Sequence, residues 1–150
     1  MKRLIPLFLL CVMLVSCGRE IVYKQFQSLP LEGWHCDSAL EYTFAIADSV
    51  ASYEVQLIVR HSTQYPYQNL WFFTEEWYGN MLLHSDTIEC FLADEYGRWQ
   101  GAGISTYTMP LLYYPSHTFP RIGEYKLVIK QGMRSEWLQG IEDVGVEVVR

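Results

Sequence analysis

Long helical periods, internal repeats and a membrane-spanning apolar run are all missing from this 150-residue chain. Its one extended apolar run, Leu4 to Val15, holds twelve residues. As a helix rising about 1.5 Å per residue, that run reaches about 18 Å, well short of a hydrocarbon core of about 30 Å. Basic residues are also scarce, with eleven Lys and Arg against seventeen Asp and Glu for a net charge of −6. That sign disfavours nucleic acid and anionic lipid surfaces, which would repel the chain. The four histidines, His35, His61, His84 and His117, have no H-x-x-H or H-E-x-x-H partner and no cysteine at ligand spacing. They read as solvated loop side chains, and no metal or other cofactor is expected, leaving open only a group assembled in space from His61, His84 or His117 with Asp86. No G-x-S-x-G elbow surrounds Ser105, Ser116 or Ser135. Glu75 with Glu76 and Asp94 with Glu95 are adjacent, and a strand turns such neighbours to opposite faces rather than toward one glycosidic bond. "ADEYG" is too short for an EF-hand calcium loop. These absences make catalysis an unsupported reading.

What is present begins at the N-terminus. Lys2 and Arg3 precede the apolar run, which therefore reads as the core of a secretory signal. It ends in Leu14, Val15, Ser16 and Cys17. This pattern resembles the lipobox of bacterial lipoproteins, which implies cleavage before Cys17 and acylation of its sulfur and amino group. Residues 1–16 are then a signal peptide, 17–25 a lipidated tether without clear period, and 26–150 the folded domain. Burial of acyl chains contributes about 0.8 kcal/mol per methylene, so two or three chains hold a domain at a membrane where one alone binds reversibly. Removing Lys2 and Arg3 leaves nine basic and seventeen acidic residues, a formal charge of −8.

With Cys17 acylated and Cys11 lost in the signal, only Cys36 and Cys90 remain to pair in an oxidising envelope. A bridge between them would close a loop of about 54 residues and add roughly 4 kcal/mol in the chain-entropy account. The competing reading keeps Cys90 reduced, because it lies in phase with Ile88 and Leu92 where a small buried hydrophobe fits.

Past the tether, apolar residues alternate. "LEYTFAI" places Leu40, Tyr42, Phe44 and Ile46 on one face, and "SYEVQLIVRHS" does the same with Tyr53, Val55, Leu57 and Val59. Ile58 breaks the polar face of the second segment, as in a strand covered on both sides. "LWFFTEEW", "DTIECFLAD", "GEYKLVIKQ" and "VGVEVV" read as further strands. "MRSEWLQGI" has room for one helical turn, and the segment with Pro110, Pro115 and Pro120 reads as a long connection with a short strand at Leu111 to Tyr114. About seven short strands separated by Gly and Pro predict an all-β, antiparallel sandwich, jelly-roll-like in outline.

Aromatic residues make up 15% of the chain. Trp77, Tyr78, Tyr113 and Tyr114 are the candidates for an exposed binding surface of the kind on which carbohydrate-binding modules stack sugar rings. Trp71, Phe73, Trp99 and Trp137 read instead as core or turn-packing residues. Arg60 and Arg134 lie beside turns, where a guanidinium can grip a carboxylate such as Asp143 with two prongs. Arg134 is the expected clamp on the last strand.

Taken in order, the lipobox at Cys17, "YEVQLIVRHSTQYPYQNLWFF", "DTIECFLADEYGRWQGAG" and "GEYKLVIKQGMRSEWLQGIEDVGVEV" resemble the GldH family of gliding-motility lipoproteins of Bacteroidota. The resemblance implies a non-enzymatic envelope lipoprotein that works with other motility and secretion proteins. It carries over one functional position, Cys17. The single acid after it, Glu20, is not the acidic run found on surface-displayed lipoproteins of this phylum, so the expected location is the periplasmic face of the outer membrane.

Overall fold

A computed structural model describes residues 18–150; Cys17 and the signal lie outside the described residues. The described chain is entirely β in its regular structure. Eleven strands run in order β1 (Ile21–Ser28), β2 (Trp34–His35), β3 (Leu40–Ile46), β4 (Tyr53–Ser62), β5 (Asn69–Tyr78), β6 (Met81–Phe91), β7 (Ala102–Gly103), β8 (Thr106–His117), β9 (Gly123–Gln131), β10 (Trp137–Leu138) and β11 (Ile141–Val149). One sheet has the order β1-β11-β4-β8-β7 and the other β3-β9-β5-β6, while β2 and β10 form a short separate ribbon. All pairs are antiparallel.

Period-2 alternation produces this sandwich directly. Along β3, Leu40, Tyr42, Phe44 and Ile46 are buried and the residues between them exposed. Opposite, Val55, Leu57 and Val59 of β4 lie in register with Val148, Val146 and Val144 of β11, and all six are core residues. The sheets are also tied by polar contacts. Tyr42 donates its hydroxyl to the Val144 carbonyl at 2.7 Å, and at one edge the Gln27 amide donates to the Glu41 carbonyl at 2.6 Å.

Three parts depart from the expected pattern. The segment 21–25 is not a free tether, because Ile21 onward pairs with β11. Its mixed composition fits a sheet edge, where one side chain, Phe26, lies across Gly145 so closely that a Cβ there would come within 2.5 Å of the ring. The proline-rich segment is a twelve-residue strand, β8, rather than a connection. It pairs with β4 on one side, and beyond Thr108 no strand of the described residues lies on its other side. Pro110 and Pro115, which donate no N–H, are tolerated on such an edge. The stretch around Trp137 makes the β10 half of the ribbon, not a helical turn.

Gly140 closes this end of the sandwich at φ +86°. Its carbonyl accepts from the Ser62 N–H at 2.8 Å, which ties the start of β11 to the end of β4.

Candidate functional site

Cys36 and Cys90 are free thiols. Cys90 points into the core from β6 opposite Leu70, and burial pushes its thiol up to about 12, which makes it an unreactive small hydrophobe. Cys36 sits half-buried at the ribbon, its N–H held by the Glu136 carbonyl. The possible bridge is not formed, and the two side chains pack separately.

The histidines are not solvated loop residues as a group. His61 is fully buried at the end of β4 and packs against Trp99 at 4.7 Å, Tyr107 at 5.7 Å and Tyr65 at 6.0 Å between ring centres. Its Nδ1 lies 3.1 Å from the Ser62 carbonyl, to which it donates, leaving Nε2 buried and unpartnered. Burial lowers the His61 pKa, against the raising effects of the Ser62 carbonyl and the Glu142 charge. A histidine whose folded value is depressed leaves stability intact above its unfolded value of about 6.5, and stability is lost as pH falls from there through the folded value. The slope in that window is up to about 1.4 kcal/mol per pH unit. Denaturant unfolding at pH 7.5 and 5.5 should show a midpoint drop that His61→Phe largely abolishes.

Tyr113 and Tyr114 do not form an open aromatic platform. The β4–β8 register shifts around Val55, so consecutive tyrosines turn to one side. They stack with ring centres 4.0 Å apart, and Tyr114 stacks in turn on His117 at 4.4 Å. Tyr113 meets Thr74 of the facing sheet, hydroxyl to hydroxyl at 3.0 Å. Trp77 and Tyr78 are half-buried, Trp77 donating to Glu75 at 2.9 Å and Tyr78 to the Ile122 carbonyl at 3.0 Å. These four residues therefore do not share a surface. Trp99 packs over His61 as a turn residue should, whereas Trp137 is half exposed, edge-on to His35, and Phe73 is 50% exposed on the outer face of its sheet. Arg134 is exposed. Arg60 is the residue that grips Asp143, through the Nε and terminal nitrogens of its guanidinium.

What the fold does assemble is a polar cleft between β6 and β8. Leu70, Phe72, Thr74 and Glu76 share the inward phase of β5, so Glu76 is carried under the cleft at 4% exposure. A pocket of about 460 Å³ opens above it, lined by Glu76, Leu83, His84, Tyr114, His117 and Pro120. His117 Nε2 stands 3.6 Å from Glu76 Oε2, and His84 Nε2 lies 3.9 Å from Asp86 Oδ2. Burial, then hydrogen bonding to Tyr113, pushes the Tyr114 hydroxyl far above its usual range, with the Glu76 carboxylate acting in the same direction. Sequence reasoning missed this cleft, and the one local signal for it is the phase of Glu76 with Leu70 and Phe72. Among the described residues, the donors close enough together for a metal ion are His35, Cys36 and Asp37 at the ribbon, not the cleft histidines. There Asp37 N–H already donates to His35 Nδ1 at 3.1 Å, and His35 Nε2 is 3.4 Å from Glu136. Both nitrogens of the His35 ring are thus already approached by groups of the chain itself.

Residues 21–148, from β1 almost to the end of β11, match the model of the GldH lipoprotein family. The chain belongs to the GldH lipoprotein family. The gliding motility lipoprotein GldH homolog of Christiangramia forsetii is 30% identical over 145 residues, covering 91% of this chain and 88% of its own. The gliding motility lipoprotein GldH of Flavobacterium johnsoniae is 29% identical over 149 residues, covering 95% and 92%. A crystal structure of dimeric latent PorU from Porphyromonas gingivalis aligns with 90% of this GldH-family chain and 14% of its own, at 11% identity and a TM-score of 0.35, too distant to bear on function. Family membership covers the whole sandwich, including the cleft.

Proposed function

We propose that this protein is a lipid-anchored envelope component of a gliding-motility machine and its associated secretion apparatus, with a non-enzymatic assembly or stabilising role. The observation that carries the reading is the family match across residues 21–148, joined to relatives named as gliding motility lipoproteins. Cys17 is the lipid attachment site in this reading, and the outer membrane, on its periplasmic face, is the location. The strand β1 begins at Ile21, so acyl chains on Cys17 would hold the sandwich close against the bilayer. Its working surfaces are then its sides, among them the outer edges of β6 and most of β8, which no further strand of the described residues covers.

Metabolic labelling with a fatty-acid probe tests the anchor. The wild-type chain should take up label and fractionate with membranes, and Cys17→Ala should do neither; a labelled Cys17→Ala protein would remove the anchor. Affinity purification of the native lipoprotein tests the machine, with other envelope motility or secretion proteins expected to co-purify. A glycan-binding role on Tyr113 and Tyr114 has less support, because the Tyr114 ring is stacked between Tyr113 and His117 and the Tyr113 hydroxyl meets Thr74 of the facing sheet.

A further inference from the structure

We infer that the cleft between β6 and β8 is a receptor for a basic side chain, a lysine ammonium or an arginine guanidinium, presented by an extended segment of a partner protein. Three features lead to it. The first is the state of Glu76. A buried carboxylate is costly unless it is paired and hydrogen-bonded. Its nearest cationic candidate, His117 Nε2, stands at 3.6 Å, outside hydrogen-bond reach. That nitrogen is itself buried and has no hydrogen-bond partner among the described residues. The Tyr114 hydroxyl beside them is shared between Tyr113, at 3.1 Å, and the Glu76 carboxylate, and it brings no positive charge to pair with that carboxylate. Glu76 and His117 both line the open pocket, and an ammonium entering it has three donors to offer the Glu76 carboxylate.

The second feature is the chemistry of the walls. Asp86, at the mouth beside His84, adds negative charge. The pocket's apolar surface comes from Leu83, Pro120 and the Tyr114 ring, which suits the methylene stem of Lys or Arg. An anionic ligand is repelled. A neutral sugar lacks a platform on Tyr114, whose ring is stacked between Tyr113 and His117. A metal ion is disfavoured because the cleft's histidine and carboxylate donors do not come within ligand distance as a group.

The third feature is the route of delivery. The pocket lies between two strand edges, since among the described residues β6 pairs only with β5 and β8 is uncovered beyond Thr108. An extended segment added along β6 would satisfy unpaired backbone groups and turn alternate side chains toward the cleft, the usual division between main-chain affinity and side-chain specificity in strand addition. Net charge acts in the same sense, because the acidic chain attracts a basic partner. That the occupant is a protein segment rests on the assembly role proposed above. Its test is separate, because Cys17→Ala reads out the anchor and the cleft is read out by selectivity for lysine.

The experiment uses the full-length lipoprotein in detergent and fluorescein-labelled strand peptides, acetyl-Thr-Val-Lys-Val-Thr-amide and the same peptide with norleucine for lysine, followed by anisotropy. The lysine peptide should bind at least tenfold more tightly than the norleucine peptide, an arginine peptide should bind comparably, and Glu76→Gln should erase the difference. Because Glu76→Gln alters a buried group, a second variant is needed. Leu83→Arg, which places a guanidinium of the chain itself at the pocket wall, should block the lysine peptide while leaving the circular dichroism spectrum unchanged. Equal binding of both peptides, absence of binding, or full binding by Leu83→Arg would overturn the inference. So would displacement of the peptide by Zn²⁺ or by cellohexaose, which would reassign the cleft to a metal or a glycan.

Discussion

Gly140→Ala should lower stability by about 3 kcal/mol, combining a left-handed conformation that costs an L residue roughly 1–2 kcal/mol with overpacking that costs about 1–3 kcal/mol. Gly140 has φ +86°, and a Cβ there would lie 2.6 Å from both the N and the Cα of Tyr65. Those atoms are backbone, so relief requires moving the turn after β4 and, with it, the buried Tyr65 ring. The Ser62 bond to the Gly140 carbonyl opposes that movement from the other side. Gly79 supplies the control, because it has φ +56° and a Cβ there would meet nothing within 4 Å. Gly79→Ala should cost only the conformational part, about 1 kcal/mol. Thermal unfolding should therefore put the Gly140→Ala midpoint roughly 10 °C below wild type and the Gly79→Ala midpoint only a few degrees below it. Equal shifts for the two variants would show that backbone conformation alone, and not the approach of Tyr65, makes Gly140 necessary.

How much of this was legible before the fold was known differs from element to element. Strands with one buried face, such as Leu40–Ile46 and Tyr53–Ser62, follow from alternation because the pleat has a period of two and each inward side chain meets the opposite sheet. Edges are harder to read. In β1 only part of each face is covered, and in β8 prolines that would forbid a central strand are compatible with an edge. Local sequence holds no mark of which case applies. Sites depend on the same limitation. That Glu75 and Glu76 point to opposite faces follows from strand geometry, but the burial of Glu76 depends on β8 lying opposite β6, a relation between residues far apart in the chain. Tyr113 and Tyr114 illustrate the converse. Two prolines suggest exposure, whereas a local register shift turns both rings inward. The thiols were half legible, since the phase of Cys90 marks it as core, and nothing in the spacing places Cys36.

Arg60→Met should destabilise the domain by about 2–4 kcal/mol, and the reason lies in its partner. Asp143 is 4% exposed on β11 and accepts from Arg60 Nε through both carboxylate oxygens at 2.8 Å, with a further contact from the terminal nitrogen Nη2 to Oδ2. The hydrogen bonds to Asp143 raise the Arg60 pKa against its partial desolvation. Deleting the guanidinium leaves a buried carboxylate without its counter-ion, which costs about 3–5 kcal/mol in a fully buried pair. The Arg60 side chain is 45% exposed, so water can partly replace it, and the lower end of that range applies. A smaller part of the loss comes from Phe26, whose ring centre lies 5.3 Å below the guanidinium carbon and which fastens β1 to this face. The double variant Arg60→Met with Asp143→Leu removes both charges and should recover at least half of the loss, because two apolar residues leave no unpaired ion. Arg134→Ala, at an exposed position outside this pair, should leave the midpoint unchanged. A double variant as unstable as the sum of its singles would mean that the pair acts through shape rather than charge, and the clamp between β4 and β11 would then belong to Phe26 and Gly145.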